Sequence, residues 1–398
     1  MRMIQFNMKI AIFTDTYPPF INGVSTSCFN LVQTLKNHGH DVVVVAPRVD
    51  NGKLEFKDGI IQIPGLELKK IYGYRLTGLY NKKVIQMLRD FGVQLIHNQT
   101  DIGIGQFAKI AARQLKVPLV YTYHTAYEDY TYYVVHGLMD RIGKNAMRGY
   151  AKIVARNCTE FITPSLKTKD YMRSIGSDIY INVVPTGIDF SLFDRKNIDL
   201  NKQAEFKKAH GINETTKVFL LLGRVAQEKS MDYSIRGFSM YLDKHPEDDV
   251  KLIIVGDGPQ RQELELLTHE LHISDKVDFI GKVPANEVPF YYHLADIYTS
   301  ASITETQGLT FMEAMASGTI VLARFDSNLA DTIIDGQTGF FFTDEESFVE
   351  KVERIFALSK EGRQEVINNS YKMVDMYSID KFYDNIMEVY NRALKKFW

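Results

Sequence analysis

The sequence predicts an α/β protein made of two doubly wound, Rossmann-like domains in tandem, and three observations carry that prediction. Short runs that are apolar on both faces alternate with stretches of helical period, the pattern of a parallel sheet covered by helices. The series stops near Pro185 and begins again at Val218. The chain has 398 residues, 45% apolar and 24% charged, which suits two ordinary globular domains and excludes disorder, collagen and coiled coil.

In the first series, residues 9–14 read as a buried strand, followed by a loop to Gly23 and a helix over 24–37. Strands are predicted at 41–46, 93–97, 118–123, 161–163 and 182–184. The second series holds strands at 218–222, 251–255, 277–280, 297–299 and 319–323. The domains are therefore drawn at 1–190 and 191–376. The tail, 377–398, places Ile379, Phe382, Tyr383, Ile386, Val389, Tyr390, Ala393 and Leu394 at helical spacing, an apolar stripe that needs a surface. Open α/β sheets bind ligands at the carboxyl ends of their strands, so residues just after strands are the first to inspect. Two such sheets facing each other would enclose a cleft.

Two cysteines, Cys28 and Cys158, are too few for a disulfide framework and fit a reducing compartment. No apolar run is long enough to span a bilayer, and the N-terminus lacks a signal-peptide pattern, so a cytoplasmic location is expected. The net charge of −2 divides unevenly. Residues 1–190 hold 23 Lys+Arg and 15 Asp+Glu, or +8, and residues 191–398 hold 24 and 34, or −10. A basic half joined to an acidic one suggests that the first half meets an anionic surface.

Some motifs fail on their context. Gly103-Ile-Gly105-Gln-Phe-Ala108 matches the dinucleotide fingerprint, but the acidic residue expected after the next strand is missing. His269-Glu-Leu-His272 falls one residue short of a zinc-helix pattern. Neither a D-x-D triplet nor a P-loop occurs.

Other motifs sit where ligands belong. Gly23 opens a helix after the first strand, where free amides and the absence of a side chain admit a phosphate. Arg224 and Lys229 follow the first strand of the second series, a rigid fork and a mobile point charge suited to two phosphates. Glu305 and Glu313 form a Glu-x7-Glu pair, with Glu313 flanked by Phe311, Met312, Ala314 and Met315 and so in need of a polar partner. Gly308, Leu309 and Thr310 begin the same helix and offer a second set of amides. His124 ends the strand at 118–123. Singly, each signal also has a structural reading: a plain helix start, a surface loop, a solvated helix face, a satisfied histidine.

In order and spacing, Gly23, His124, Gly-Arg-x4-Lys, Gly256-Asp-Gly-Pro259 and Glu-x7-Glu resemble the retaining GT-B glycosyltransferases of family 4, from Lys9 to about Phe382. Gln307 departs from the pattern, most relatives having a bulky residue there. The run Glu305-Thr-Gln-Gly-Leu-Thr310, with Tyr123-His-Thr-x-Tyr-Glu-Asp-Tyr130, is similar to bacterial diacylglycerol glucosyltransferases. The resemblance implies transfer of a hexose, glucose from UDP-glucose, to a lipid hydroxyl without a metal cofactor. It gives Arg224 and Lys229 the β-phosphate, Glu305 and His124 the donor sugar, Glu313 the ribose and Gly23 the diphosphate. Asp15 and Asp129 become candidates for acceptor contacts. It also implies that the last helix crosses back to the first domain. A soluble sugar or sugar-phosphate acceptor, or a nucleotide-sugar-binding module without turnover, remains the alternative.

The first domain is expected to sit peripherally on the inner face of the cell membrane. Residues 66–89 carry Lys69, Lys70, Arg75, Lys82, Lys83 and Arg89 among apolar side chains. Arg141, Lys144, Arg148, Lys152 and Arg156 would form one basic stripe if 141–156 is helical. No recognised nucleic-acid module accompanies them, so lipid is the expected partner.

Overall fold

The computed structural model describes residues 7–20, 23–68, 74–101, 103–124, 149, 151–153, 155–303, 305, 307–327 and 329–397. The chain forms two compact units, Met1–Gly187 with Ile379–Trp398, and Ile188–Ser378. The boundaries drawn from the sequence lie within three residues of these.

In the first unit, β1 (Lys9–Phe13), α1 (Gly23–Asn37) and β2 (Asp41–Pro47) are followed by β3 (Glu55–Lys57), β4 (Ile60–Ile63) and a hairpin of β5 (Gly65–Leu68) and β6 (Tyr74–Thr77). Then come α2 (Lys82–Phe91), β7 (Leu95–Asn98), α3 (Ile104–Leu115), β8 (Leu119–Thr122), β9 (Glu160–Thr163), α4 (Leu166–Ser174) and β10 (Ile181–Val183). Among the described residues the main sheet runs β10-β9-β8-β7-β1-β2-β4-β3. It is parallel except at its edge, where β3 pairs antiparallel with β4. That edge and the hairpin depart from the all-parallel expectation. The strand order reverses between β1 and β7, the switch point at which such sheets hold ligands.

The last helix, α12 (Ile379–Phe397), belongs to this unit. It buries Phe382, Tyr383, Ile386, Val389, Tyr390 and Ala393 against Ile10, Ile12, Leu31, Leu95, Val120 and Ile162. The apolar stripe read from the sequence therefore finds its surface here. Polar anchors tie it down as well: Tyr383 Oη lies 2.9 Å from His40 Nε2, Tyr390 Oη 2.7 Å from His97 Nδ1, and Lys396 Nζ 2.6 Å from the buried carboxylate of Glu160. Gly187 passes so close to this helix that a Cβ there would fall 2.6 Å from that of Phe382.

The second unit holds α5 (Leu200–Ala209), β11 (Lys217–Leu222), α6 (Met231–Lys244), β12 (Val250–Val255), α7 (Arg261–Glu270) and β13 (Val277–Gly281). It continues with α8 (Val288–Leu294), β14 (Ile297–Ser300), α9 (Leu309–Ala316), β15 (Ile320–Arg324), β16 (Phe340–Phe342), α10 (Glu345–Phe356) and α11 (Lys360–Val374). Its sheet is parallel in the order β13-β12-β11-β14-β15-β16, so its switch point lies between β11 and β14. Leu220 and Ile253 look toward one layer of helices, while Phe219 and Ile254 look toward the other. That two-sided burial is why these strands read as unbroken apolar runs.

Candidate functional site

In the second unit, Lys229, Glu305 and Thr310, all singled out from the sequence, come together at the switch point. β11 ends at Leu222 and the chain turns through Gly223, whose φ of 143° is a glycine conformation, to Arg224. The neighbouring Gly-Asp-Gly-Pro loop supports this turn backbone to backbone. Val225 N donates to Asp257 O at 3.1 Å and Gln260 N to Val225 O at 3.1 Å. A Cβ on Gly256 would lie 1.8 Å from Gly223 O, and one on Gly258 2.2 Å from Val225 O. Those two glycines are required by packing, and the packing places Arg224.

Each cation of this loop is held by a carboxylate. Lys229 Nζ donates to Glu305 Oε1 at 2.5 Å, and Arg224 Nη1 lies 3.8 Å from Glu228 Oε1. All four side chains are partly shielded, which strengthens such pairs relative to a surface pair. Lys229 and Glu305 face Tyr298, Ser300 and Thr310 across a small depression at the ends of β11 and β14. The pairing orders these long cationic side chains, which lowers the entropic cost of holding an anion there.

Gly308 caps α9 with a φ of 74°, and a Cβ there would press to 2.9 Å on both Leu329 and Phe311. Among the described residues no side chain caps this helix. The N–H groups of Leu309 and Thr310, in its first turn, have no intrahelical carbonyl to meet them. Gln307, just before it, is buried with its amide nitrogen 3.8 Å from Met312 Sδ, so the position that departs from the family pattern packs as a core side chain.

Glu313 sits one turn further on. The protein packed about its carboxyl raises its pKa to about 7, against the lowering effect of a hydrogen bond from Tyr292 Oη at 2.9 Å. Tyr292 also lies 3.1 Å from Thr310 O, and Tyr298 Oη donates to Thr310 Oγ1 at 2.8 Å. Neither tyrosine was singled out from the sequence. Both read as core aromatics, and their partners lie 12 to 21 residues away, beyond any local motif.

In the first unit, Gly23 begins α1, and among the described residues a Cβ there would meet nothing within 4 Å. The unit's own packing gives no reason for glycine at this position. Asp15 follows β1 at the switch point, 3% exposed, with Oδ1 accepting from Ile104 N at 3.3 Å and, among the described residues, Oδ2 without a hydrogen-bond partner. Burial pushes its carboxyl up to about 7, with Asp101 adding to the rise and hydrogen bonds from Thr100 and Ile104 opposing it. Packing also explains the false dinucleotide fingerprint. A Cβ on Gly103, whose φ is 58°, would lie 3.1 Å from Thr77 Oγ1, and one on Gly105 would lie 2.0 Å from Thr100 O, so both glycines serve the turn and the close packing at the start of α3. His124 follows β8 with Nε2 2.6 Å from Gln99 Oε1, and burial pushes its pKa down to about 4.

Several expectations change or fall outside the described residues. Arg75 is not available to a membrane. It is 5% exposed, donates to Asp50 O and Gly65 O and pairs with Glu67 at 3.7 Å. Arg156 is exposed but paired with Asp178 at 3.2 Å. Lys69, Lys70, Asp129, Arg141, Lys144 and Arg148 lie outside the described residues. Lys82, Lys83 and Arg89 are exposed on α2, Leu79 and Tyr80 just before it are 54% and 49% exposed, and Leu66 of the hairpin is 71% exposed. Among the described residues no helix is long and apolar enough to cross a membrane.

Residues 21–192 match the family described as Glycosyltransferase Family 4, and residues 202–373 match Glycosyl transferases group 1. The α-monoglucosyldiacylglycerol synthase of Acholeplasma laidlawii is 32% identical over 98% of this chain and 100% of its own length. The protein of the same name from Streptococcus pneumoniae is 34% identical over 84% of this chain and 75% of its own. Among solved structures, sucrose-phosphate synthase from Thermosynechococcus elongatus matches with a TM-score of 0.73 at 20% identity, over 97% of this chain and 98% of that one. Anabaena HepE in complex with UDP-glucose matches with a TM-score of 0.72 at 16% identity, over 96% and 99%. The architecture is thus that of the GT-B enzymes, and the chain belongs to the family 4 glycosyltransferases.

Proposed function

We propose that this glycosyltransferase moves glucose from UDP-glucose to a hydroxyl of diacylglycerol, with retention at the anomeric carbon, at the anionic cytoplasmic face of a membrane. The observation that carries the reading is the pairing of Lys229 with Glu305 at 2.5 Å beside Arg224, at the switch point of the second unit. Two relatives named for monoglucosyldiacylglycerol synthesis, at 32% and 34% identity, support the acceptor.

In this reading the bond from the anomeric carbon to the β-phosphate oxygen breaks while Arg224 and Lys229 neutralise the charge that collects on phosphate. The acceptor oxygen bonds to the anomeric carbon from the face the leaving group vacates, and its proton passes to the departing phosphate. Electrostatic stabilisation of that leaving group is the main contribution asked of the protein. The two cations take the part a divalent metal would play, so no metal is required. Glu305 and His124 hold sugar hydroxyls, Glu313 the ribose, and Gly23 leaves room for the diphosphate. Leu66, Leu79, Tyr80, Lys82, Lys83 and Arg89 supply exposed apolar and basic groups for an anionic leaflet, at about 1 kcal/mol per cation.

The test is transfer of labelled glucose from UDP-glucose into lipid, using phosphatidylglycerol vesicles with and without diacylglycerol. Label in a glucosyl lipid only when diacylglycerol is present supports the proposal. Transfer only from GDP-mannose, or only to a soluble sugar phosphate, overturns the donor or the acceptor respectively.

A further inference from the structure

Two cross-strand contacts of the first unit repeat with the same offset. β7 and β8 are parallel neighbours, with Asn98 opposite Tyr121. His97 Nε2 lies 2.7 Å from Thr122 Oγ1, and two residues further on in each segment, just past the ends of β7 and β8, Gln99 Oε1 lies 2.6 Å from His124 Nε2. These are two successive rungs of side-chain contact, the second lying just beyond the carboxyl ends of the two strands.

The two rungs differ in what they leave over. His97 has both ring nitrogens engaged, Nδ1 by Tyr390 Oη at 2.7 Å, and is fully buried. It anchors α12 and has no capacity left. His124 is half-buried at the strand end, and its Nε2 is engaged by Gln99. Gln99 itself is 3% exposed just after β7, and among the described residues its amide nitrogen has no hydrogen-bond partner, so the bond to His124 is what orients the amide.

We propose that Gln99 is a positioning residue: its amide oxygen accepts from His124 Nε2–H, fixing the neutral tautomer in which Nδ1 is left as an acceptor for a hydroxyl of the donor hexose. This rests on the proposed role of His124 at the donor sugar. Burial, with no carboxylate among its causes, lowers the pKa of His124 to about 4, so the ring is neutral throughout the working range. A neutral imidazole has one donor and one acceptor, and the bond at one nitrogen dictates the role of the other. Were the Gln99 amide reversed, His124 would carry its proton on Nδ1 and present a donor to the sugar instead. The two arrangements are chemically opposite and distinguishable.

The test uses the full chain labelled with 15N-histidine, the His124 signal being assigned by its loss in His124→Asn. The wild type should show a protonated Nε2 and an unprotonated, acceptor-type Nδ1 at pH 7. Gln99→Met, similar in size, should mix the tautomers and lower kcat by about 10–100-fold, the cost of misplacing a contact group, with little change in KM for the donor. Gln99→Glu keeps an acceptor oxygen and should restore the Nε2–H signal and most of kcat at pH 8, which a merely structural glutamine would not require. A wild-type spectrum showing Nδ1–H, or a Gln99→Met protein with unchanged tautomer and turnover, overturns the proposal. If Gln99→Met does not fold, the wild-type and Gln99→Glu spectra still decide it. The spectra need no turnover, so they stand even if the enzyme uses another sugar. In that event the proposed donor fails while the Gln99–His124 arrangement is judged by its own signal.

Discussion

Asp15 should be a residue whose removal stabilises the protein and impairs it at once. Its carboxyl is 3% exposed, one oxygen lacks a hydrogen-bond partner among the described residues, and burial raises its pKa from 3.8 to about 7. A raised folded-state pKa means that the folded protein binds the proton more tightly than the unfolded chain. Stability is therefore fully present below pH 3.8 and is lost as the pH rises through about 7. A shift of about 3 units corresponds to about 4 kcal/mol in favour of the uncharged form. Asp15→Asn does not titrate, and its amide oxygen can still accept from Ile104 N at the start of α3. The stability of the variant relative to wild type should climb by about 1.4 kcal/mol per pH unit between pH 4 and 7 and level off above that. Urea unfolding of both proteins across that range, with m compared to show that the same surface unfolds, measures the difference. A gap independent of pH would refute the argument, because it would mean that the buried carboxyl ionises as easily as an exposed one. If Asp15 also contacts the acceptor, glucosyl transfer by the same variant falls while its stability rises, the trade expected of a site kept for function.

Replacing Arg224 or Lys229 with Ala should lower turnover by about 10²–10³, the scale for one lost charge-stabilising group, and unchanged kcat/KM in both would displace the phosphate site from β11. Glu313 has its pKa raised to about 7, so it ionises as the pH rises through neutrality, and a charged carboxylate accepts ribose hydroxyls better. Donor affinity, read by calorimetry, should strengthen from pH 6 to 8 in the wild type and stay flat in Glu313→Gln. Sedimentation with phosphatidylglycerol vesicles should fall with added salt and weaken when Lys82 and Lys83 become Gln, whereas equal binding to neutral vesicles would contradict the electrostatic half of the membrane proposal. EDTA should leave turnover unchanged, and a loss restored by Mg²⁺ would assign part of the phosphate neutralisation to a metal.

The central strands were legible in the sequence because both their faces are buried. Val42–Val45 and Leu220–Leu221 leave no alternation to misread and no helical period. The edge was not. β3 is exposed at every residue, Phe56 included, and carries no core signal. The β5–β6 hairpin mixes leucines with charges and reads equally well as a basic amphipathic stretch. Arg75 shows the cost of reading charge without depth: counted among membrane-facing cations, it is a buried side chain that ties the hairpin to Asp50 and Asn51. At the site, Arg224, Lys229 and the Gly308 turn were visible because they follow strands and open a helix. Tyr292, Tyr298 and Gln99 were not, since each acts through a partner that only the fold brings near.

The return of α12 to the first unit sets an order of assembly. The second unit is contiguous in sequence, whereas the first is closed by a stretch of chain made after the second. During synthesis at about 5–20 residues per second, roughly 190 residues separate β10 from α12, a wait of roughly 10–40 s. Until then one face of the β1, β7, β8 and β9 sheet, including Ile10, Ile12, Leu95, Val120 and Ile162, lacks its cover, and His97 lacks Tyr390. The first unit is thus begun before the second and completed after it, and a nascent chain stalled before Ile379 is a natural client for chaperones that hold exposed apolar surface. A cut at Gly187 should not yield two folding domains. An independent first unit needs residues 379–397 rejoined to it through a linker, and one made without them should aggregate.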